Sequence, residues 1–577
     1  MQVKVSHPAI RSTFQPAADM IRPVFLAFLL LLCIVPAWSQ VPATFFGISL
    51  NNATDYPTSS PQFGLLRLWD TPNTHWPYLQ SGGYNTSLFA TYLDDALNGA
   101  CINSPGYSPG TSCGNAVVMY TFGRVPGWAS ENSSDTSCAY EFDGSGQCQP
   151  PSCTSPTSCN HLSANGSGDD AAWRGFLVLL AQHLNGLSST QYAPVKYFEV
   201  WNEIDRSLTL TNNNCGTTSN CSYNGSYAQL LRLNEDMRCV LIGTGTIHNF
   251  PSQGNSTTCT AASQPPYSWT VGVLNNKTGV KFLSPSSHAQ GTSGAIATST
   301  GVVQNFLYCS DSSLPQPDCN WKGTGTNYNW GSGSVDIINF HMKPGNESTT
   351  TDPELEMQTE YNHATAILGT VNNDNTKPFW NGESGYSGAP HCGWTPSAGG
   401  DVDLNSLPAQ QAAFVARYML IQWSLGIQAS AWYSYDLSNF LVGFCSGGTY
   451  TNNGTTTDAY TAFNNVAAWM VDSTMSPISG SGAGCQLVGG TTYPTLWGCQ
   501  LKQGTWTGQV YWDSDSRYSC TGSSDSTCNS YNYTGYPSTP VWHKYQTADG
   551  SSVQNFTNGN AIKVSNLPTI IMTNDPQ

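Results

Sequence analysis

At 577 residues the chain is longer than one hydrophobic core usually serves, so at least two sizeable domains are expected. The formal charge is −16 and charged residues are only 10% of the total, a balance that repels phosphate backbones and anionic membranes and excludes nucleic acid as a partner class. Neutral polymers fit better, since aromatic residues reach 12% and flat rings stack on sugar faces as well as filling cores.

The first element is an export signal. Lys4, Arg11 and Arg22 precede an apolar run from Val24 to Val35, and Ala37-Trp38-Ser39 follows with small residues at the two positions a signal peptidase reads. The run is short of the roughly 20 apolar residues that span a bilayer, so residues 1–39 read as a cleaved signal peptide rather than an anchor. Cys33 follows the bulky Leu32, which does not suit lipid attachment. The mature chain is therefore expected to be secreted, extracellular or periplasmic, free of the membrane and monomeric.

Losing the signal leaves 19 − 1 = 18 cysteines, an even number in an exported chain, which implies disulfides rather than metal ligands. Near neighbours in sequence suggest the pairs Cys101/Cys113, Cys138/Cys148, Cys153/Cys159, Cys215/Cys221, Cys239/Cys259, Cys309/Cys319, Cys485/Cys499 and Cys520/Cys528, with Cys392/Cys445 as one long pair. Finger-like zinc spacing is missing.

From about residue 44 to 470, apolar or β-branched runs alternate with amphipathic stretches, as in repeated β-α units. Eight candidate strands follow one another: Thr44–Leu50, Leu65–Trp69, Ala116–Phe122, Tyr197–Val200, Val280–Pro285, Val335–His341, Pro378–Asn381 and Ala429–Tyr435. Eight is the number of a (β/α)8 TIM barrel, although a doubly wound open sheet shows the same alternation. Trp173, Phe176, Leu177, Leu180 and Leu184 share one helical face, and another helix opens at Asp352-Pro353 and stops at Gly369. Three long polar stretches, Ser130–Gly168, Ser207–Ser226 and Ser286–Ser334, follow strands and so belong to the face where barrels bind substrate; they are either cleft walls or protective decoration. Beyond about Ser473 short strands and turns replace the helical period. The division is thus a catalytic barrel over 40–473 and a small all-β, sandwich-like domain over 474–577, in which Trp506, Trp512 and Trp542 either pack against the barrel or stack on sugar.

Cleaving a glycosidic bond takes one carboxylic acid to protonate the leaving oxygen and a second carboxylate to attack or to activate water. Two glutamates sit at strand ends: Glu203 in Tyr197-Phe198-Glu199-Val200-Trp201-Asn202-Glu203, and Glu383 in Phe379-Trp380-Asn381-Gly382-Glu383-Ser384. They close strands four and seven, which face each other across a barrel mouth. Glu199 lies one step deeper and reads as a buried ion-pair partner.

These motifs resemble the large clan of retaining barrel glycosidases, and within it family 39, the β-xylosidase and α-L-iduronidase family, in its bacterial exopolysaccharide-hydrolase branch. The likeness runs in order to the C-terminus through Phe63-Gly64-Leu65-Leu66-Arg67-Leu68-Trp69-Asp70, Thr121-Phe122-Gly123-Arg124-Val125-Pro126-Gly127-Trp128, Asp336-Ile337-Ile338-Asn339-Phe340-His341 and Ala431-Trp432-Tyr433-Ser434-Tyr435-Asp436. The resemblance implies that Glu203 is the general acid/base, Glu383 the nucleophile, and Asn202 the partner of the sugar 2-hydroxyl. By the same likeness Arg67 keeps Glu383 ionised, Trp432 is a stacking floor, His341 lines the subsite, and Trp76 and Trp128 contribute to substrate binding. It also implies hydrolysis of a polysaccharide or oligosaccharide by double displacement, with no metal or organic cofactor; the long loops favour endo action. One departure is Lys343, two places after the strand-six histidine, where such enzymes usually carry an aromatic residue; it serves the nucleophile, binds an acidic sugar, or points to solvent. The alternatives are an inactive carbohydrate-binding surface protein, an exo-acting β-xylosidase-like enzyme, and a transglycosylase or lyase. A lipase-type hydrolase is disfavoured, because the Gly-x-Ser-x-Gly matches within Gly106–Gly114 precede a strand instead of following one.

Overall fold

The computed structural model describes residues 39–50, 63–80, 87–126, 129, 171–205, 222–223, 225–248, 256–259, 263–264, 267–268, 270–290, 293–308, 330–343, 353–369, 374–385, 408–436, 442–446, 449–480, 484–514, 531–550 and 552–574. Residues 40–577 form one compact unit. Among the described residues no helix is long and apolar enough to cross a membrane.

Eight parallel strands form an inner ring: β1 (Phe46–Ser49), β2 (Leu65–Leu68), β3 (Val117–Thr121), β4 (Val195–Glu199), β5 (Lys281–Leu283), β6 (Ile338–Lys343), β7 (Phe379–Ser384) and β8 (Ile427–Trp432). Each except β5 pairs with its successor in a ladder, and β8 returns to β1 with Phe46 opposite Ser430. The β5–β6 seam is the thinnest: it is held by the parallel bridge Leu283–Ile337 and by the Ser284 N–H donating to the Ile337 carbonyl at 2.9 Å. The ring closes, so the fold is the (β/α)8 barrel and not the open sheet. All eight expected strands are present. They were readable because strands covered on both faces are nearly continuous apolar runs.

The outer layer comprises α1 (Phe89–Ile102), α2 (Ala171–Gly186), α3 (Tyr227–Ile242), α4 (Ser293–Tyr308), α5 (Pro353–Gly369), α6 (Pro408–Leu425) and α7 (Asp458–Met470), which follow β2 to β8 in turn. The expected stripe of α2 is buried throughout. α3 opens with a capping box between Ser226 and Gln229 and ends at left-handed Gly243, satisfying backbone groups at both termini. The stretch Ser286–Ser334 is not the polar connection expected from its composition. It holds a short strand (His288–Gln290), α4 and a short helix (Trp330–Ser334), because Val302, Val303, Phe306 and Leu307 give α4 a buried stripe in its second half. Of the other two long stretches, residues 130–168 lie outside the described residues, as does most of Ser207–Ser226.

After α7 come β9 (Thr474–Ser476), β10 (Gln486–Gly489), β11 (Tyr493–Gln503), β12 (Trp506–Asp513), β13 (Tyr531–Tyr533), β14 (Lys544–Thr547), β15 (Val553–Asn555), β16 (Ile562–Val564) and β17 (Thr569–Met572). Seven make one antiparallel sheet in the order β9-β11-β12-β17-β14-β15, with β10 also on β11, while β13 pairs with β16. Side chains alternate between two cores. Trp497, Cys499, Leu501, Val510, Trp512, Ile570 and Met572 join the barrel's apolar cluster, whereas Leu496, Tyr511 and Ile571 join a second cluster with Tyr533, Ile562 and Val564. Trp506, Trp512 and Trp542 are all fully buried, the first two against the barrel side, so packing is what these rings do.

Three of the expected disulfides lie among the described residues, Cys101–Cys113, Cys239–Cys259 and Cys485–Cys499, each joining the neighbours that spacing suggested. Each of the other six pairs has at least one cysteine outside the described residues.

Candidate active site

The barrel interior changes character along its axis. Leu65, Val117, Met119, Leu283, Ile337, Trp380 and Ala429 form an apolar layer, with the Tyr197 and Trp380 rings 4.3 Å apart between centroids. One pleat further toward the strand C-termini, the same inward positions carry Arg67, Thr121, Glu199 and Asn339, and one pleat beyond Asn339 comes His341, all buried.

The side chains of this second layer are joined by hydrogen bonds and ion pairs. Glu199 accepts from the Thr121 hydroxyl at 2.7 Å, from the Asn339 amide at 2.9 Å and from the Ser286 N–H at 2.8 Å, with Arg67 3.7 Å away. It is the ion-pair partner its depth suggested. Arg67 donates through Nη1 to Glu383 Oε2 at 2.9 Å and through Nη2 to Asn202 Oδ1 at 2.5 Å. Burial disfavours the guanidinium's charge, but Glu383, Glu199, Asp70 and Glu203 more than offset this and raise its pKa, so Arg67 stays charged at any working pH.

Glu203 and Glu383 sit at the next level, 1% and 4% exposed. Strict alternation from inward Trp380 would turn Glu383 outward, toward the helices, as it turns Asn381 to Tyr418 and Gln422 on α6. A register irregularity against β8 between Asn381 and Ser384 re-aims it to Arg67. Gly382 makes this possible, for a Cβ there would stand 2.5 Å from Asn339 Oδ1, which instead accepts the Gly382 N–H at 2.9 Å. Glu203 has φ 46°, a left-handed backbone rare for a residue with a Cβ.

His341 ties the pair together. Its Nδ1 is 2.9 Å from Glu203 Oε1 and 3.6 Å from Glu383 Oε2, and its Nε2 is 3.4 Å from Arg67 Nη2. Glu203, His341 and Glu383 each place one polar atom within 4.8 Å of the others, a set of donors that could in principle hold a cation. The tautomer argues otherwise. Arg67 only donates, so Nε2 must present its lone pair and Nδ1 the proton, and a metal at Nδ1 would push that proton toward the guanidinium. The arrangement suits two hydrogen-bonded carboxyl groups facing a common point.

The structure thus gathers Arg67, Asn202, Glu203, His341 and Glu383. Trp432 ends β8 beside them, opposite Ser384 and edge-on to Tyr418. Trp76 is elsewhere: its ring stacks on Phe176 of α2 and lies beside Trp173, in the apolar cluster of the helix layer, where a large ring fills space between elements. Trp128 lies outside the described residues. The backbone of Lys343 pairs with Gln290, but its side chain is not among those described. Sequence reasoning missed Ser286, Asn339 and Thr121. Asn339 had a signal, being two places before His341 and so on the same strand face; a serine acting on a backbone group 83 residues away had none. At the rim, Arg124 lies over the Trp69 ring at 5.3 Å, and burial together with Arg124 lowers the pKa of His75, keeping it neutral.

No protein-family model matches the chain, and no curated protein does. Solved structures do. A conserved exported protein from Bacteroides fragilis superposes with TM-score 0.51 at 10% identity, over 93% of this chain and 99% of its own. The chain shares its fold. A family 30 subfamily 8 xylanase from Clostridium acetobutylicum matches with TM-score 0.47 at 11% identity (93% and 97% covered), and a family 51 α-L-arabinofuranosidase from Bifidobacterium longum with 0.44 at 10% (92% and 96%).

Proposed function

We propose that the chain is a secreted retaining glycoside hydrolase that cleaves polysaccharide chains internally, with Glu383 as nucleophile and Glu203 as acid/base. The observation that carries the reading is that carboxylate oxygens of Glu203 and Glu383, 180 residues apart in sequence, lie within 4.8 Å of each other. Retaining enzymes hold their carboxyl groups about 5–5.5 Å apart, while inverting ones leave roughly 6.5–9.5 Å for a water.

In the first step a Glu383 oxygen bonds to the anomeric carbon, the glycosidic C–O bond breaks, and its electron pair takes the proton of Glu203. Arg67 keeps Glu383 anionic, and that charge makes a second one on Glu203 costly, so Glu203 arrives protonated. The His341 Nδ1–H occupies Glu203 Oε1, which leaves the proton on Oε2 for the departing oxygen. Once Glu383 is esterified its charge is gone. Glu203 then takes a proton from water, whose oxygen bonds to the anomeric carbon as the Glu383 ester bond breaks. Asn202 Nδ2 is buried with no hydrogen-bond partner among the described residues, a donor suited to the 2-hydroxyl. Trp432 supplies the stacking face.

Membership of family 39 rests on the ordered sequence segments, and export on the N-terminal run; the three disulfides support an oxidising destination. The test is incubation with a panel of plant and bacterial polysaccharides, following new reducing ends, product length and the anomer first released. Retained configuration, oligomeric early products and loss of at least about a thousandfold in Glu383→Gln are expected. Covalent labelling by a 2-fluoro glycoside at any residue but Glu383, or release of the inverted anomer, refutes the assignment. If Lys343 binds acidic sugars, Lys343→Ala selectively lowers kcat/KM on uronate-containing polymers; an unchanged substrate ranking rejects that role.

A further inference from the structure

Resting on the acid/base role of Glu203, we propose that Ser286 is the positioning residue that holds Glu203 in its left-handed backbone and thereby aims its carboxyl group. A non-glycine residue persists at φ 46° only where its surroundings over-determine it. Ser286, three places after β5, supplies hydrogen bonds on both sides of that backbone. The Ser286 hydroxyl oxygen accepts the Glu203 N–H at 3.0 Å, its carbonyl accepts the Ile204 N–H at 3.0 Å, and its own N–H points at the Trp201 carbonyl at 3.2 Å as well as at Glu199. It therefore grips the chain on both sides of the glutamate.

The next residue extends the clamp. The Ser287 carbonyl accepts the His341 N–H at 2.9 Å, and the His341 ring meets Glu203 Oε1. The backbone of the acid and that of the group touching its carboxyl thus hang on one dipeptide, between the mouth ends of β4 and β6. The same run is stitched below by Ser284, whose hydroxyl accepts the Asn339 N–H at 2.9 Å.

Only one of the Ser286 contacts runs through its side chain, so the proposal is separable from general packing. Ser286→Ala keeps the backbone grips and strips the acceptor from a buried N–H, a loss that is not repaid by water in an enclosed site. Glu203 then relaxes away from His341, and the step that suffers is protonation of a poor leaving group. Glu383 keeps its bond to Arg67.

The experiment compares kcat/KM on the oligosaccharide identified by the panel with kcat/KM on the 2,4-dinitrophenyl glycoside of the same sugar, whose leaving group departs unprotonated. Ser286→Ala is expected to lose roughly tenfold to hundredfold on the oligosaccharide and less than about threefold on the activated glycoside. Ser286→Thr, which keeps the hydroxyl, is expected to stay within about threefold of the parent on both. Equal losses on both substrates at an unchanged Tm, or no loss on either, overturn the proposal. A crystal structure of Ser286→Ala gives a readout independent of turnover: a Glu203 still left-handed and still against His341 overturns it as well. A parent chain that hydrolyses neither substrate refutes the glycosidase reading alone, and the crystal comparison then decides the positioning of Glu203.

Discussion

Arg67 is the cation on which the polar layer converges, with Glu383 and Asn202 bonded to it and Glu199 beside it. Arg67→Met should leave two buried carboxylates without their guanidinium, costing about 3–5 kcal/mol in stability, and should lower kcat/KM far more than Arg67→Lys, which keeps a charge but not the fork. Urea unfolding and initial rates measure the two effects separately. Glu360 on α5 gives a different signature. It is buried, neither oxygen has a hydrogen-bond partner among the described residues, and burial, then Glu356, pushes its pKa well above the ordinary carboxylate value. An acid whose folded pKa is raised stays protonated when folded and ionises when unfolded, so it erodes stability as pH climbs past the unfolded pKa of about 4.3 and no further once the folded carboxyl ionises too. Glu360→Gln should therefore raise Tm at neutral pH by about 1–3 °C, with the gain vanishing near pH 4; a gain independent of pH would reject this origin. At this scale the sequence pointed to residues that the fold does bring together, Glu203, Glu383, Asn202 and Arg67, since each lies on or just beyond a strand of the barrel. It misled at Trp76, since a buried tryptophan between helices and one under a sugar look alike in a string of letters.

Among the elements, β7 shows how a strand departs from its own alternation to present a side chain. Gly382→Ala forces a methyl group into Asn339, whose amide joins Gly382 to Glu199. A cost of about 1–3 kcal/mol and a fall in kcat of about tenfold or more are expected, read by thermal unfolding and steady-state rates. The eight strands were legible because a barrel wall buries both faces of each. α4 was not, since Ser293 to Gly301 is rich in Ser, Thr, Gly and Ala and carries no apolar stripe; only its second half does. Two disulfides are attached to helices of the barrel, at Cys101 in α1 and Cys239 in α3, and the third, Cys485–Cys499, lies in the C-terminal sheet. Opening the last by Cys485→Ala/Cys499→Ala should cost about 3 kcal/mol for so short a loop, seen as a lower urea midpoint.

At the scale of the whole molecule, barrel and C-terminal sheet are joined by a buried carboxylate. Glu354 of α5 receives a two-pronged bond from Arg417 of α6, and the Trp512 indole N–H of β12 donates to it at 2.9 Å. Trp512→Phe should lower stability by about 1–3 kcal/mol, and its near-ultraviolet and far-ultraviolet transitions should still coincide, because the shared core makes one cooperative unit. Two transitions would mean that the sheet melts by itself. A chain ended at residue 473 should fail to fold, having lost the cover over that core.

The segment ahead of β1 lies against the end of the barrel's last helix. Val41 bridges to Val471, its N–H donating to the Ser473 carbonyl at 2.9 Å while its carbonyl accepts from Asp472, and a few residues later β1 pairs with β8. The seam that seals the ring therefore joins residues 430 − 46 = 384 positions apart, Phe46 and Ser430, and no early portion of the chain can complete it. A nascent polypeptide therefore stays open until β8 has been synthesised, a condition compatible with the export proposed above.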